Sequence, residues 1–418
     1  MNILRAQTPT LRGPDFWIKL YRLREELRAA EIDEMERDWF EDDDDDDVKA
    51  QDKSKQESSS FDCPEITSKF RDEIIEMIEN LTENLIHQLS QNQPMKIEFP
   101  RRKRENTSYS AGVGIGMKSN ALSTTTSLCH HPEKLAQMLR VLSTIHHLLH
   151  TDSHATKRDI FYEDVAFYRT QQCVDEAVDN IACMFRVTRR SLHVLAASKG
   201  LVYGELSYVD WDGSVVDCSQ NSSTGNAIPH HVNMIKEMKS EAKFVLLIEK
   251  EATFQRLLDS QFYSKCGPSI LITGKGYPDV NTREMVKCLW EFLKIPILGL
   301  VDADPYGIEI LSVYKFGSVS MSFDVHHLTT PCIKWLGVLP TDLVRLNVSP
   351  ENLLDLTHRD TGRAQGLLTR PYMETVPGWK TQIESMLELK KKAEIQCLDS
   401  SYLANVYLPQ KIAEGSWL

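Results

Sequence analysis

The sequence predicts a multidomain chain of mixed α and α/β class. A helical unit with the element order of a winged helix-turn-helix precedes an α/β unit built on a parallel sheet. Three observations carry that reading. With 418 residues the chain is long enough for two or three domains and a large core. From Pro132 to about Leu206, apolar residues recur at helical intervals with short turns between them. Beyond Glu241, short apolar runs alternate with helical ones, and the runs are apolar throughout, as strands covered on both faces must be.

Composition bounds the class. A hydrophobic content of 41% and a charged content of 26% describe an ordinary soluble globular protein. The longest strand-like apolar run, Phe244 to Ile248, is far short of the roughly 18 residues of a membrane helix. The first residues lack a continuous apolar core, which predicts no secretory signal. Nine cysteines without a CxxC pair read as reduced thiols of the cytosol or nucleus. Four His-His pairs, among them His130-His131 and His146-His147, have no second half-site at zinc-ligand spacing and read as core or surface histidines. The net charge of -12 is mostly a tail property. Residues 1–65 hold 10 basic and 19 acidic residues, a balance of -9, and the rest hold 38 and 41, a balance of -3. The folded body is therefore free to meet a polyanion.

Residues 1–65, with Asp42 to Asp47 in series, are predicted to form an acidic, disordered extension. Residues 66–135 open with a helix over Ile66 to Gln93, marked by Ile74, Ile78, Leu81, Leu85 and Leu89. "PRRKREN" follows, either a phosphate or import patch or a solvated loop. "AGVGIGMKS" fails as a phosphate loop because Met117 separates Gly116 from Lys118, and its glycines miss the dinucleotide spacing.

Residues 136–215 are predicted to hold the winged-helix unit. One helix covers "HPEKLAQMLRVLSTIHHLLHT", and a second opens at "TKRDIFYEDVAFY" with Thr156 as cap. "QQCVDEAVDNIACMF" and "TRRSLHVLAAS" follow as third and fourth helices, and "KGLVYGELSYVDWDG" as a hairpin. Arg186, Arg189, Arg190 and Lys199 lie in a stretch without an acid, which suits a groove-facing element; a core helix with a basic outer face is the alternative.

Residues 240–418 carry the α/β unit, and its strand ends carry the chemistry. "FVLLIE" ends at Glu249, and "LGLVDADPYG" ends on Asp302 and Asp304. Ligands bind off the carboxyl ends of parallel strands, and residues two apart on an extended segment point the same way. Three carboxylates so placed repel one another unless they share a cation. Oxygen-only ligation suits a hard ion, with Mg²⁺ the candidate. "TGKGYPD" places Lys275 at the neighbouring strand end as a phosphate-contacting edge.

These residues carry a resemblance. Strand-Glu249 followed by strand-Asp302-x-Asp304 resembles the Toprim domain of topoisomerases and primases. "IEKEATFQRLL", "ILITGKGYPDVNTR", "LVDADPYGIEI" and "WLGVLPTDL" resemble the A subunit of topoisomerase VI and, more closely, its eukaryotic meiotic double-strand-break relatives. "KRDIFYED", "RRSLHVLAASKGLVYG" and "YLANVYLP" fit the same family, from about residue 66 to the C-terminus. The resemblance implies a winged-helix (CAP-like) domain joined to a Toprim domain. It implies Tyr162 as nucleophile, with Arg158 four residues before it on the same helical face, and Glu249, Asp302 and Asp304 as the Mg²⁺ ligands. Lys199 and Tyr277 match positions of DNA contact, beside Arg189, Arg190 and Lys275 from the charge pattern.

The activity so implied is meiotic cleavage of both strands of double-stranded DNA, leaving 5′-phosphotyrosyl ends that initiate recombination. A homodimer with hybrid sites is implied, as are accessory meiotic proteins, a nuclear location on meiotic chromosomes, and a topoisomerase VI B-like subunit on the helix from Ile66 to Gln93. The alternatives are a resealing type IIB topoisomerase, a hydrolytic Toprim nuclease, and a non-catalytic DNA-binding scaffold.

Overall fold

The computed structural model describes Lys69 and residues 71–196, 198–220 and 224–418. The acidic extension expected over 1–65 and the start of the first helix lie outside the described residues. The described chain opens with α1 (Arg71–Ser90) and two short antiparallel pairs. In these, β1 (Lys96–Pro100) pairs with β4 (Ser123–Ser127), and β2 (Thr107–Ser110) with β3 (Gly114–Met117). The glycine-rich stretch is β3. A Cβ at Gly114 would meet the Phe316 carbonyl oxygen at 2.6 Å, so this glycine serves close packing.

The helices that follow include α2 (Pro132–Thr151), α3 (Lys157–Glu163) and α4 (Gln171–Phe185), with one short turn of helix over Val165–Tyr168 between the last two. The stripe Leu135, Met138, Val141, Leu142, Ile145, Leu148 and Leu149 buries one face of α2. It packs with Ile74 and Ile78 of α1, Ile160 of α3, and Val178 and Ile181 of α4 in one core.

The structure departs from the expected winged-helix order after α4. Among the described residues no fourth helix forms at "TRRSLHVLAAS". Arg190–Leu192 makes one 3₁₀ turn, His193 takes a left-handed φ of 57°, and Val194–Leu195 pairs in parallel with Ala155–Thr156. Local propensity loses here to strand pairing that buries Val194. The expected hairpin also divides. β5 (Leu201–Gly204) joins the sheet of the α/β unit, and only β6 (Ser207–Val209) forms a hairpin, with β7 (Val215–Asp217). Gly204, at φ 124°, turns the chain between the two, where a Cβ would meet the Ser269 carbonyl oxygen at 2.2 Å. β5 thus lies within residues 136–215 and hydrogen-bonds into the sheet of the α/β unit.

The α/β unit is as expected in class. After the edge strand β8 (Glu237–Lys239) beside β6, it carries β9 (Val245–Ile248), β10 (Ile270–Thr273), β11 (Ile297–Leu300) and β12 (Lys334–Gly337). Among the described residues the order across the sheet is Asn226–Ala227, β5, β10, β9, β11, β12. The last four run parallel, and β5 lies antiparallel to β10. Val245, Leu247, Ile270 and Ile272 face one core, while Leu246, Ile248, Leu271 and Leu298 face the other. Both faces are covered, by helices that include α5 (Glu251–Asp259), α6 (Val280–Leu293) and α7 (Pro305–Phe316), which is why these strands read as unbroken apolar runs.

Candidate active site

Glu249 and Asp302 stand at the carboxyl ends of adjacent parallel strands, β9 and β11. The Glu249 carboxylate accepts the Asp302 N–H at 2.9 Å, which ties the two strand ends together. Asp302, 5% exposed, accepts the Ile395 N–H at 2.8 Å with one oxygen and receives the Lys250 ammonium at 2.8 Å on the other. Asp304 is the N-cap of α7 and accepts the Gly307 N–H at 2.7 Å; Pro305 follows at the first helical position. The Asp-x-Asp-Pro pattern thus both starts a helix and presents acids.

Gly307 is the hinge of this packing. A Cβ there would lie 2.6 Å from the Asp302 carbonyl oxygen and 3.0 Å from Glu249 Oε2, so only glycine lets the first turn of α7 approach both acids. Burial pushes the Glu249 carboxyl up to about 7, with the Asp302 charge adding to the shift. Burial also raises Asp302, opposed by Lys250, and raises Asp304, opposed by the Gly307 N–H. Glu249 and Asp302 meet at adjacent strand ends and Asp304 caps α7 beside them, but the three carboxylates do not bring their oxygens within 4.8 Å of one another; as a donor set, oxygen alone suits a hard divalent cation.

Lys250, Glu394 and Gly307 are the site residues that sequence reasoning missed. Lys250 bridges Asp302 and Glu394, the latter at 2.9 Å. The signal for Lys250 was its place directly after Glu249; nothing local marked Glu394. Glu251, at the start of α5, pairs with Lys275 at 2.9 Å.

The tyrosine sits on a different kind of support. Thr156 and Asp159 form a capping box at the start of α3, as the Thr156 cap predicted. Ile160 is fully buried, and Lys157 reaches Asp179 of α4 at 2.6 Å. Asp179 is held from its other side by Arg102 at 3.4 Å. With Lys157 and Ile160 fastened inward, Arg158 and Tyr162 share the outer face. Tyr162 is 68% exposed, and among the described residues neither its hydroxyl nor the Arg158 guanidinium has a hydrogen-bond or ionic partner. The acids of the same chain do not reach it.

The expected basic face is split. Arg189 and Tyr277 line one cleft of about 580 Å³, together with Arg283 and Arg363. Tyr277 donates to Glu309, which also holds Arg363. Lys199 donates to the Lys275 carbonyl at 3.2 Å, and its own N–H binds Asp279, the N-cap of α6. Lys275 and Gly276 both take left-handed φ in the turn after β10. Arg190 turns inward to Glu284 at 3.3 Å and to the His230 carbonyl.

The chain is similar to known proteins over most of its length. Residues 244–412 match the family model for the Toprim domain shared by Spo11 and the topoisomerase 6 A subunit. Residues 133–194 match the model described as Type IIB DNA topoisomerase. The meiotic recombination protein SPO11 of Homo sapiens is 45% identical over 354 residues, 83% of this chain and 89% of that protein. That of Mus musculus is 45% identical over 352 residues, with the same shares. The DNA topoisomerase 6 A subunit of Arabidopsis thaliana is 43% identical over 282 residues, 67% of this chain and 66% of the relative. With two strand-end acids and a helix-capping third in one unit, and a free tyrosine in the other, this chain belongs to the family of Spo11 and the topoisomerase 6 A subunit.

Proposed function

We propose that this protein makes double-strand breaks in meiotic DNA by tyrosine transesterification, with Tyr162 as nucleophile. The observation that carries the reading is Tyr162 itself: an exposed phenol beside an unpaired arginine, on a helix pinned by a buried isoleucine and an ion pair. A free phenol, pKa about 10, is a poor nucleophile at neutral pH. The Arg158 guanidinium on the same face would steady the charge that grows on the phosphate oxygens. The Tyr162 oxygen bonds to phosphorus, the bond to the 3′ oxygen breaks, and the phenol proton is balanced by protonation of that oxygen. One ester replaces another, so neither water nor ATP is consumed.

Glu249, Asp302 and Asp304 would hold Mg²⁺, which neutralises charge at the scissile phosphate when bound. Lys250 covers Asp302 in this structure and would have to withdraw first. Since Tyr162 reaches no acid of its own chain, we place it against the acids of a second copy, giving two hybrid sites and one cut per strand. Arg189, Lys199, Lys275 and Tyr277 would contact DNA, and the helical unit, though its fourth helix is missing, would serve as the winged-helix domain. Ile86 and Leu89, exposed one turn apart on α1, suit a B-like partner protein. Action on meiotic chromosomes places the protein in the nucleus.

The similarity to topoisomerase 6 A subunits favours one second reading, a cleavage that reseals. The test is recovery of covalent protein–DNA adducts from cells making the protein, wild type against Tyr162→Phe. Adducts on 5′ ends that vanish with the variant are expected. Adducts that persist would move the nucleophile elsewhere, and breaks without adducts would favour hydrolysis. Adducts that disappear on high salt, with intact duplex restored, would favour resealing.

A further inference from the structure

A second cluster of ligand-type side chains lies far along the chain from the acids, on the helical unit. Among the described residues, Glu79, His146 and His150 are the group whose donor atoms all lie within 4.8 Å of one another. Glu79 comes from α1; His146 and His150 are one turn apart on α2. The helices are already packed through Ile74, Ile78, Val141 and Ile145, so the site needs no folding event to assemble. From this geometry we infer a zinc-binding site that staples α1 to α2.

The distances carry the argument. His146 Nε2 lies 3.3 Å from Glu79 Oε1 and 3.2 Å from His150 Nε2, and His150 Nε2 lies 3.9 Å from the same carboxylate oxygen. Zinc bonds of about 2.0–2.1 Å in tetrahedral array set donor atoms about 3.3–3.4 Å apart. Two of the three edges are at that length and the third is half an ångström over. Three corners of a tetrahedron are therefore in place, and a water fills the fourth from the solvent side.

Protons alone satisfy this cluster poorly. If His150 donates its Nε2 proton to His146, the His146 lone pair is used and faces the Glu79 carboxylate with no hydrogen between them. If His146 donates to Glu79, His150 Nε2 finds no proton to accept within the cluster and turns to solvent, to which it is 52% exposed. One cation at the centre takes a lone pair from each atom at once. Imidazole with one carboxylate suits zinc, whereas the all-oxygen set at Glu249, Asp302 and Asp304 suits a harder ion, so the two sites select different metals.

The sequence concealed this site. Reading His146 with its neighbour His147 obscured the pairing that matters, His146 with His150, and the third ligand is 67 residues away on another helix.

The test uses the full-length chain, stripped of metal and titrated with Zn²⁺ and then with Co²⁺ as a spectroscopic probe, in excess Mg²⁺ to fill the acid site. One equivalent should bind with the intense visible bands of four-coordinate Co²⁺. His146→Ala, His150→Ala and Glu79→Gln should each weaken it by about tenfold or more, as loss of a ligand does. His147→Ala, on the same helix, should leave it unchanged. Circular dichroism checks that each variant is folded; all four changes are at exposed or half-exposed positions. Hydrogen exchange of α1 should slow when Zn²⁺ is added to the wild type only. Absence of the equivalent in the wild type, or its persistence in both histidine variants, would overturn the assignment.

Discussion

The acid pocket and the tyrosine helix are built by opposite rules. At the pocket every carboxylate already has a partner: Glu249 holds the Asp302 N–H, Asp302 holds Lys250 and Ile395, and Asp304 caps α7. On α3 the fastening groups point inward, and Arg158 and Tyr162, the pair proposed to carry the chemistry, are left bare. The difference teaches where each half of the chemistry is completed. Buried acids must be neutralised in advance, because an unpaired buried charge is costly. A solvated phenol costs nothing while it waits, so under the proposed mechanism its partners would come from DNA and a second copy.

The sharpest way to break this comparison is at Gly307. Gly307→Ala puts a Cβ against backbone at 2.6 Å and should displace Asp302 from Glu249. A shift of about 1 Å costs on the order of 10²-fold in rate, so adduct recovery should fall by at least that factor. Tyr162→Phe should be as damaging to adducts but silent in a melting curve, since the side chain is exposed. A Gly307→Ala protein with wild-type adduct levels would show that the pocket is looser than its packing implies.

Next in size is Ile160→Ala, which should cost about 2–5 kcal/mol in denaturant unfolding by leaving a cavity beneath α3. A cost near zero would mean that the tyrosine helix is not anchored by its buried face. The third test is pH dependence in protein freed of divalent cations. Glu249 has a folded pKa near 7 against about 4.5 unfolded, so the unfolded state ionises first. Its contribution to stability is whole below about pH 4.5 and is lost as pH rises towards 7, by roughly 1–3 kcal/mol. Glu249→Gln should flatten that part of the profile, and an unchanged slope would assign it to another group. The smallest effect is at the cap: Thr156→Ala should cost about 1 kcal/mol. Its adducts should fall no further than the stability loss explains.

Much of this was legible beforehand. The strands of the parallel sheet announced themselves because burial on both faces demands unbroken apolar runs, and strand ends are where acids gather over a ligand. Thr156 was legible as a cap because its partner Asp159 is three residues away. The errors fell where distant pairing decides. "RRSLHVLAAS" has a helical pattern, yet Val194–Leu195 pairs with Ala155–Thr156, some forty residues earlier. Leu201–Gly204 alternates like a hairpin strand, yet its partner is β10.

By itself the sequence determined which chemical groups exist and in what order: a tyrosine four residues after an arginine, an acid at the end of one strand, two at the end of another. Those follow from covalent order and from the short periods of helix and strand. Only the tertiary structure decided that Lys250 would neutralise Asp302, that the Ile395 N–H, 93 residues on, would hold it, and that Arg190 would turn inward to Glu284. It also decided that Glu79 would meet His146 and His150. Such contacts depend on how surfaces pack once the chain has closed on itself, and no local period encodes them.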